Sequence, residues 1–277
     1  CVAQALEQCV PLPDPLPPEL RRRFRLPDKW TAVRMIHRPA GPEEIAAARR
    51  RLIFEELLCL QLALTLSRSR GQQRTSAPME PRPLEPFWAS LPFAPTGAQR
   101  RAAEEIAADL CRPAPMNRLL QGDVGSGKTL VAAAGIYLAA LNGWQSALMA
   151  PTEILAVQHA ENLQKTLAPF GLRVALLTGS MKAAAKKAAL AAIASGEADL
   201  VVGTHAVLGT GVEFARLGLA IVDEQHRFGV RQRGQLAGKA GAPHLLVMSA
   251  TPIPRTLSLL VYGDLDVSIL DELPPGR

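Results

Sequence analysis

The chain has 277 residues, of which 48% are hydrophobic and 20% charged, with a net charge of +6 and a pI of about 9.5. That is a globular composition, long enough for one large domain or two small ones, and its basic balance favours polyanionic partners. Four scattered cysteines without a C-x-x-C pair argue against a disulfide or zinc framework and fit a reducing cytosol, and no apolar run reaches the ~18 residues of a membrane-spanning helix.

Residues 1–42 are proline-rich and read as irregular, with Arg21, Arg22, Arg23 and Arg25 in a basic cluster. Prolines from Pro11 to Pro18 interrupt any signal-peptide pattern. Pro42-Glu43-Glu44 then opens a long helix over 43–70, since proline suits the first helical position and early acids suit the helix dipole. Ile45, Leu52, Leu57, Leu60 and Leu64 cover much of its surface, so it is expected to pack on a partner. Arg49, Arg50 and Arg51 read as a solvated basic face, with contact to another domain as the alternative. Residues 71–95 read as a linker, low in apolar content up to Pro86. Thr96 is placed to cap a helix running to Leu110.

From Met116 the pattern becomes strand, helix, strand. Strands are expected at Arg118–Gln121, Ser146–Ala150, Val174–Thr178, Leu200–Gly203, Leu219–Asp223, Leu245–Ser249 and Val267–Leu270, with helices at Glu153–Leu167 and Met181–Ala194 among the gaps. Short, uniformly apolar strands alternating with helices predict an α/β fold with a mostly parallel sheet flanked by helices. Functional residues then belong at the carboxyl ends of the strands.

Gly122-Asp123-Val124-Gly125-Ser126-Gly127-Lys128-Thr129 fits the P-loop pattern G-x-x-x-x-G-K-[ST], between a strand and a helix as the chemistry requires. Glycines let backbone N–H groups curl around phosphate oxygens, and the helix N-terminus adds partial positive charge. Lys128 would reach the β- and γ-phosphates, and Thr129 would hold Mg²⁺. Such a loop needs an acid at the end of another strand. Leu219-Ala220-Ile221-Val222-Asp223-Glu224 supplies two: Asp223 to orient Mg²⁺ through its water shell and Glu224 to act as general base. His159 and His244 read as ordinary surface or core histidines, and Lys182, Lys186 and Lys187 as a mostly solvated face.

Asp223-Glu224-Gln225-His226 is a DExH box, the signature of superfamily 2 helicases and translocases. The other motifs of that superfamily resemble segments here in the same order. Gln99 stands where a glutamine often reads adenine. Pro151-Thr152-Glu153 and Thr204-His205 resemble strand-tracking motifs, and Ser249-Ala250-Thr251-Pro252 resembles the motif that couples hydrolysis to DNA movement. Gln225 and His226, with Ser249 and Thr251, are the coupling residues this resemblance implies. Asp223 through Val230, Met248 through Leu257 and Tyr262 through Arg277 are similar to the RecG family of branch-migration helicases, as are Ile36-His37-Arg38-Pro39 and Arg51 through Leu58.

That resemblance implies the first of two RecA-like lobes in residues 96–277, joined by the 43–70 helix to a DNA-binding wedge. It implies ATP and Mg²⁺ as cofactors and branched DNA, at replication forks and Holliday junctions, as substrate. A cytoplasmic, nucleoid-associated monomer that meets single-stranded DNA-binding protein is the corresponding setting. The wedge and the second lobe, with its arginine finger, have no counterpart in these residues. The start at Cys1 and the Pro274-Pro275-Gly276-Arg277 ending suggest a piece of a longer protein. A lobe that binds nucleotide and DNA without turnover is the alternative for these residues alone. An Mfd-like translocase is another, although that family carries a glutamate where this chain has Gln225.

Overall fold

Seven short strands set the frame of the larger part of the molecule. The computed structural model describes residues 6–8, 11–71, 79–209, 211–223, 243–250 and 265–272. It divides into two compact units, Cys1–Arg70 and Gly71–Arg277.

In the first unit, α1 (Pro18–Phe24) and α2 (Lys29–His37) precede α3 (Pro42–Gly71). The stretch expected to be irregular thus holds two short helices, each with a local cause. Pro18 sits in the first turn of α1, and Arg25 ends that helix in a left-handed conformation (φ 51°). Asp28 caps α2, its side chain accepting from Thr31 N. The solvated reading of Arg51 is corrected: its side chain is fully buried. Its guanidinium lies 2.7 Å from both Asp14 and Glu55, and Lys29 joins Glu55 at 2.6 Å. Asp14 also accepts from the backbone N–H groups of Leu16 and Lys29. A buried arginine persists because every charge around it is matched. Outside that cluster, Ile45, Ile53, Leu57, Leu62 and Leu66 of α3 are exposed.

In the second unit, α4 (Glu85–Ala89) and α5 (Gly97–Leu110) come before the sheet. The stretch read as a linker therefore belongs partly to the core. Met79, Leu84, Phe87 and Trp88 are buried there, and Phe87 packs against Tyr137 and Phe170. Two bulky aromatics supply the apolar area that a low-complexity reading of the neighbouring residues overlooks.

The alternating elements follow: β1 (Asn117–Gly122), α6 (Lys128–Leu141), β2 (Gln145–Met149), α7 (Glu153–Leu167), β3 (Val174–Leu177), α8 (Ala183–Ala194), β4 (Leu200–Gly203), β5 (Leu217–Asp223), β6 (His244–Ser249) and β7 (Asp266–Leu270). Every strand expected from the sequence is present, within two residues at each end. The order across the sheet is β3-β4-β2-β5-β6-β1-β7, and every described pairing is parallel.

Both faces of the sheet are covered. On β5, Leu219 and Ile221 join the core under α5, α6 and α7, while Ala220 and Val222 join the one under α8. Burial on both faces is why these strands read as continuous apolar runs rather than alternating ones. α6 is apolar nearly all round, with Val131 through Ala139 buried, so it lies inside the unit.

Candidate nucleotide site

A wholly parallel sheet brings every strand's carboxyl end to one edge. Gly122, Met149, Leu177, Gly203, Asp223 and Ser249 end their strands there. The P-loop, Pro151-Thr152-Glu153, Thr204-His205, Asp223 and Ser249, scattered along the sequence, thus share that edge. β6 alone separates β1 from β5. Two strand spacings put the P-loop strand and the Asp223 strand roughly 10 Å apart. Ser249 lies between them, buried and level with Gln121 of β1.

The loop has the shape of a phosphate cradle. Gly125 and Gly127 have φ of 87° and 86°, the left-handed region that favours glycine. A Cβ on Gly127 would collide with Gln99 Nε2, and one on Gly122 would sit 2.5 Å from Ser126 Oγ. Gly127 gives α6 no side-chain cap, so an anionic ligand can serve the helix's first turn. Lys128 Nζ folds over the loop and donates to Gly122 O at 2.6 Å and Asp123 O at 2.9 Å. Those carbonyls hold a cation where phosphate oxygens would compete for it. Thr129 follows in the first turn of α6, half-buried. Asp123 and Val124 are exposed at the loop tip, and Ser126 is buried beneath it with an Oγ that finds no hydrogen-bond partner among the described residues.

Gln99 holds the loop from behind. Its Nε2 donates to Ser126 O at 2.8 Å, and its Oε1 accepts from Thr96 N at 3.0 Å, completing a capping box at the start of α5. The side chain is 1% exposed. To read adenine, its amide would have to release Ser126.

Asp223 meets a partner that the sequence did not suggest. His159 of α7 places Nε2 2.7 Å from Asp223 Oδ2, with both side chains 14% exposed. His159 is a part-buried histidine with an acid partner 64 residues away in sequence, a contact that its reading as an ordinary surface or core histidine did not include. The available signal was its position two turns beyond Thr152, on a helix that starts at the functional edge. Thr152 itself caps α7 through Leu155 N. Among the described residues no three-fold cluster of His, Cys, Asp or Glu could hold a metal. The donor set on this edge, one hydroxyl and one carboxylate beside a phosphate cradle, suits Mg²⁺, which keeps waters and takes oxygen ligands from the nucleotide.

Glu153, expected to touch a DNA strand, is engaged inside the protein. Its carboxylate accepts from Ser180 N at 3.1 Å and from Ser180 Oγ, and these bonds hold its pKa below the usual carboxylate value. It ties the start of α7 to the turn after β3. Pro151 and Thr204 are half-buried and His205 is exposed. Lys182, just before α8, and Lys186 and Lys187 on it are exposed. Glu224, Gln225, His226 and Thr251 lie outside the described residues.

His244 behaves as a core histidine. It is fully buried, and its Nδ1 accepts from Met116 N at 2.9 Å. Burial pushes its pKa down to about 4, against an opposing pull from Asp109.

Comparison with known proteins agrees with this geometry. The DEAD/DEAH box helicase family model matches residues 96–260. The ATP-dependent DNA helicase RecG of Bacillus subtilis is 49% identical over the whole chain, and that of Synechocystis is 51% identical over 96% of it. The chain spans 41% and 32% of the length of these two relatives. A structure of RecG bound to a three-way DNA junction superposes on 96% of the chain with a TM-score of 0.85 at 42% identity, covering 36% of that protein. The UvsW helicase of bacteriophage T4, at 16% identity and a TM-score of 0.52, shares the fold over 71% of the chain and 69% of its own length. With the cradle at Gly122–Thr129, Asp223 on the same edge of a RecA-like parallel sheet, and the family match spanning both, the chain belongs to the DEAD/DEAH box helicase family.

Proposed function

We propose that this chain is the ATP-binding motor lobe of a RecG-type DNA helicase that remodels branched DNA in the bacterial cytoplasm. The observation that carries the reading is the shared edge, where Lys128 and Thr129 stand one strand removed from Asp223. The similarity to RecG, whose solved structure holds a three-way DNA junction, supports branched DNA as the substrate class. No helix among the described residues is long and apolar enough to cross a membrane.

In this reading the loop amides and the first turn of α6 bind the phosphates. Lys128 leaves the Gly122 and Asp123 carbonyls for the β- and γ-oxygens. Thr129 would hold Mg²⁺ and Asp223 would orient it through its water shell; when bound, the ion would neutralise charge on the triphosphate. Glu224 takes the proton of the attacking water. Gln225, His226, Ser249 and Thr251 relay the phosphate state to DNA, which Pro151, Thr152, Thr204 and His205 contact along its backbone. Such contacts are salt-sensitive and tolerant of sequence. Glu153 shapes that edge through Ser180, because a carboxylate placed on a phosphate would repel it. A second lobe supplies the arginine that closes over the γ-phosphate, a contribution of about 10³–10⁵ in related enzymes.

The test uses the natural gene product containing this chain. Glu224→Gln is expected to keep binding of a fluorescent ATP analogue while ATP hydrolysis stimulated by a three-way junction falls by about 10²-fold or more. Turnover within a few-fold of the parent would remove Glu224 as the base. Equal stimulation by linear duplex and by junction would remove the branched-DNA assignment.

A further inference from the structure

The contact between His159 and Asp223 has no part in the chemistry described above, yet it joins two functional segments. His159 belongs to α7, the helix capped by Thr152 at the DNA-facing edge, and Asp223 ends β5 as the expected magnesium residue. Both side chains are largely buried at a separation of 2.7 Å, so neither is a loose surface partner. An ionised carboxylate only accepts hydrogen bonds, which places the hydrogen on Nε2.

We infer that His159 is a positioning residue of the metal site: by donating from Nε2 to Asp223 Oδ2 it fixes the carboxylate's rotamer and leaves the other oxygen to the magnesium shell. The inference rests on the reading of Asp223 as a magnesium residue. The physical argument is pre-organisation. An aspartate at a strand end can rotate about two side-chain bonds, and a metal ion that binds it must first select one orientation. A buried donor makes that selection in advance. Partners of this kind are worth about 10–100-fold in affinity where the ligand touches the metal directly. Here the contact is expected to run through water, which sets the effect near the lower figure. Because α7 starts at Thr152, the same bond also couples the position of that helix to the metal site, so displacement of α7 by a bound strand would be felt at Asp223.

The experiment compares two substitutions of nearly equal shape. His159→Gln retains an N–H donor at the position of Nε2, whereas His159→Met fills similar volume without one. Binding of a fluorescent ATP analogue to the chain is followed as Mg²⁺ is titrated, and again in excess chelator. His159→Met is expected to raise the Mg²⁺ midpoint about tenfold with chelator-state affinity unchanged, and His159→Gln is expected to stay within about threefold of the parent. Thermal melts verify that each variant is folded, and the Gln arm keeps the comparison decisive if Met is not. A Gln variant as impaired as Asp223→Asn, or Met and Gln midpoints equal to the parent's, overturns the inference. So does a lower midpoint in His159→Met, which would make the histidine a competitor of the metal. If Asp223→Asn itself leaves the Mg²⁺ dependence intact, the magnesium reading of Asp223 falls, whichever way the His159 variants behave.

Discussion

The two ends of the sheet treat charge in opposite ways. Near the amino ends of the strands, Arg118 is held by Asp109 at 2.6 Å and Glu105 at 3.1 Å, and it donates to Ser268 Oγ at 2.9 Å. Arg112 pairs with the same Asp109 at 2.7 Å, and neutral His244 is bonded to Met116 N nearby. Each of these charges has its partner within the fold, and Asp109 is 3% exposed. At the carboxyl end, Lys128 rests on two backbone carbonyls, α6 opens without a side-chain cap, and Asp223 leans on a histidine. The first arrangement is complete as it stands, because breaking a buried charge network leaves an uncompensated ion in low dielectric. The second holds its charges in positions that an incoming polyanion and its cation can take over. Perturbed charge is therefore a poor guide to function in this molecule unless one asks whether the partners are internal.

The strongest way to break this contrast is to remove one charge from the closed end. Asp109→Ala takes away the carboxylate that Arg118 and Arg112 share and leaves Glu105 to balance Arg118. Urea unfolding should show a loss of about 3–5 kcal/mol, with nucleotide affinity per folded molecule unchanged. A loss below about 1 kcal/mol would mean that the amino end is no tighter than an ordinary surface pair.

At the open end the same kind of change should act on binding rather than on stability. Lys128→Ala removes a charge that serves the loop through carbonyls. The unfolding free energy should stay within about 0.5 kcal/mol of the parent. Affinity for an ATP analogue with Mg²⁺ should fall by about 2–3 kcal/mol, on the order of 30- to 150-fold, as expected for charge-assisted bonds to phosphate. Equal affinities in a direct titration would sink the phosphate assignment.

A finer distinction comes from pH. His244 has a folded-state pKa of about 4, below its unfolded value near 6.5. The unfolded chain thus binds the extra proton first as pH falls. Its contribution is fully present above the unfolded pKa and is lost progressively between pH 6.5 and about 4. His244→Asn keeps an acceptor for Met116 N but does not titrate. Relative to that variant, the parent should lose about 2 kcal/mol of stability between about pH 7 and about pH 5. Parallel stability curves for the two proteins would show that His244 is not held neutral by the fold.

Much of this molecule could be read directly from its residues. The strands were legible because burial on both faces makes them continuous apolar runs, as Leu219 through Val222 illustrate, and because a parallel sheet needs helices between them. The P-loop was legible because its glycines, lysine and threonine are adjacent in sequence, and the backbone shape they need is local. Asp223 was legible because a carboxylate after four apolar residues marks a strand end. These inferences rest on interactions within a few residues.

What the sequence could not supply depends on which strand lies beside which. Nothing local places β6 between β1 and β5, so the position of Ser249 between the P-loop strand and the Asp223 strand emerges only from the packed sheet. Arg51 belongs to a basic triplet and reads as solvated; only the return of Asp14 across 37 residues lets it be buried. Phe87 and Trp88 enter the core because Tyr137 and Phe170 wait there from other elements. His159, on α7, meets its acid partner only because β5 ends beside that helix. Local sequence sets the conformations a segment can adopt, because sterics and short-range hydrogen bonds decide them. Desolvation decides which charges meet, and it acts only once distant segments have closed together and excluded water.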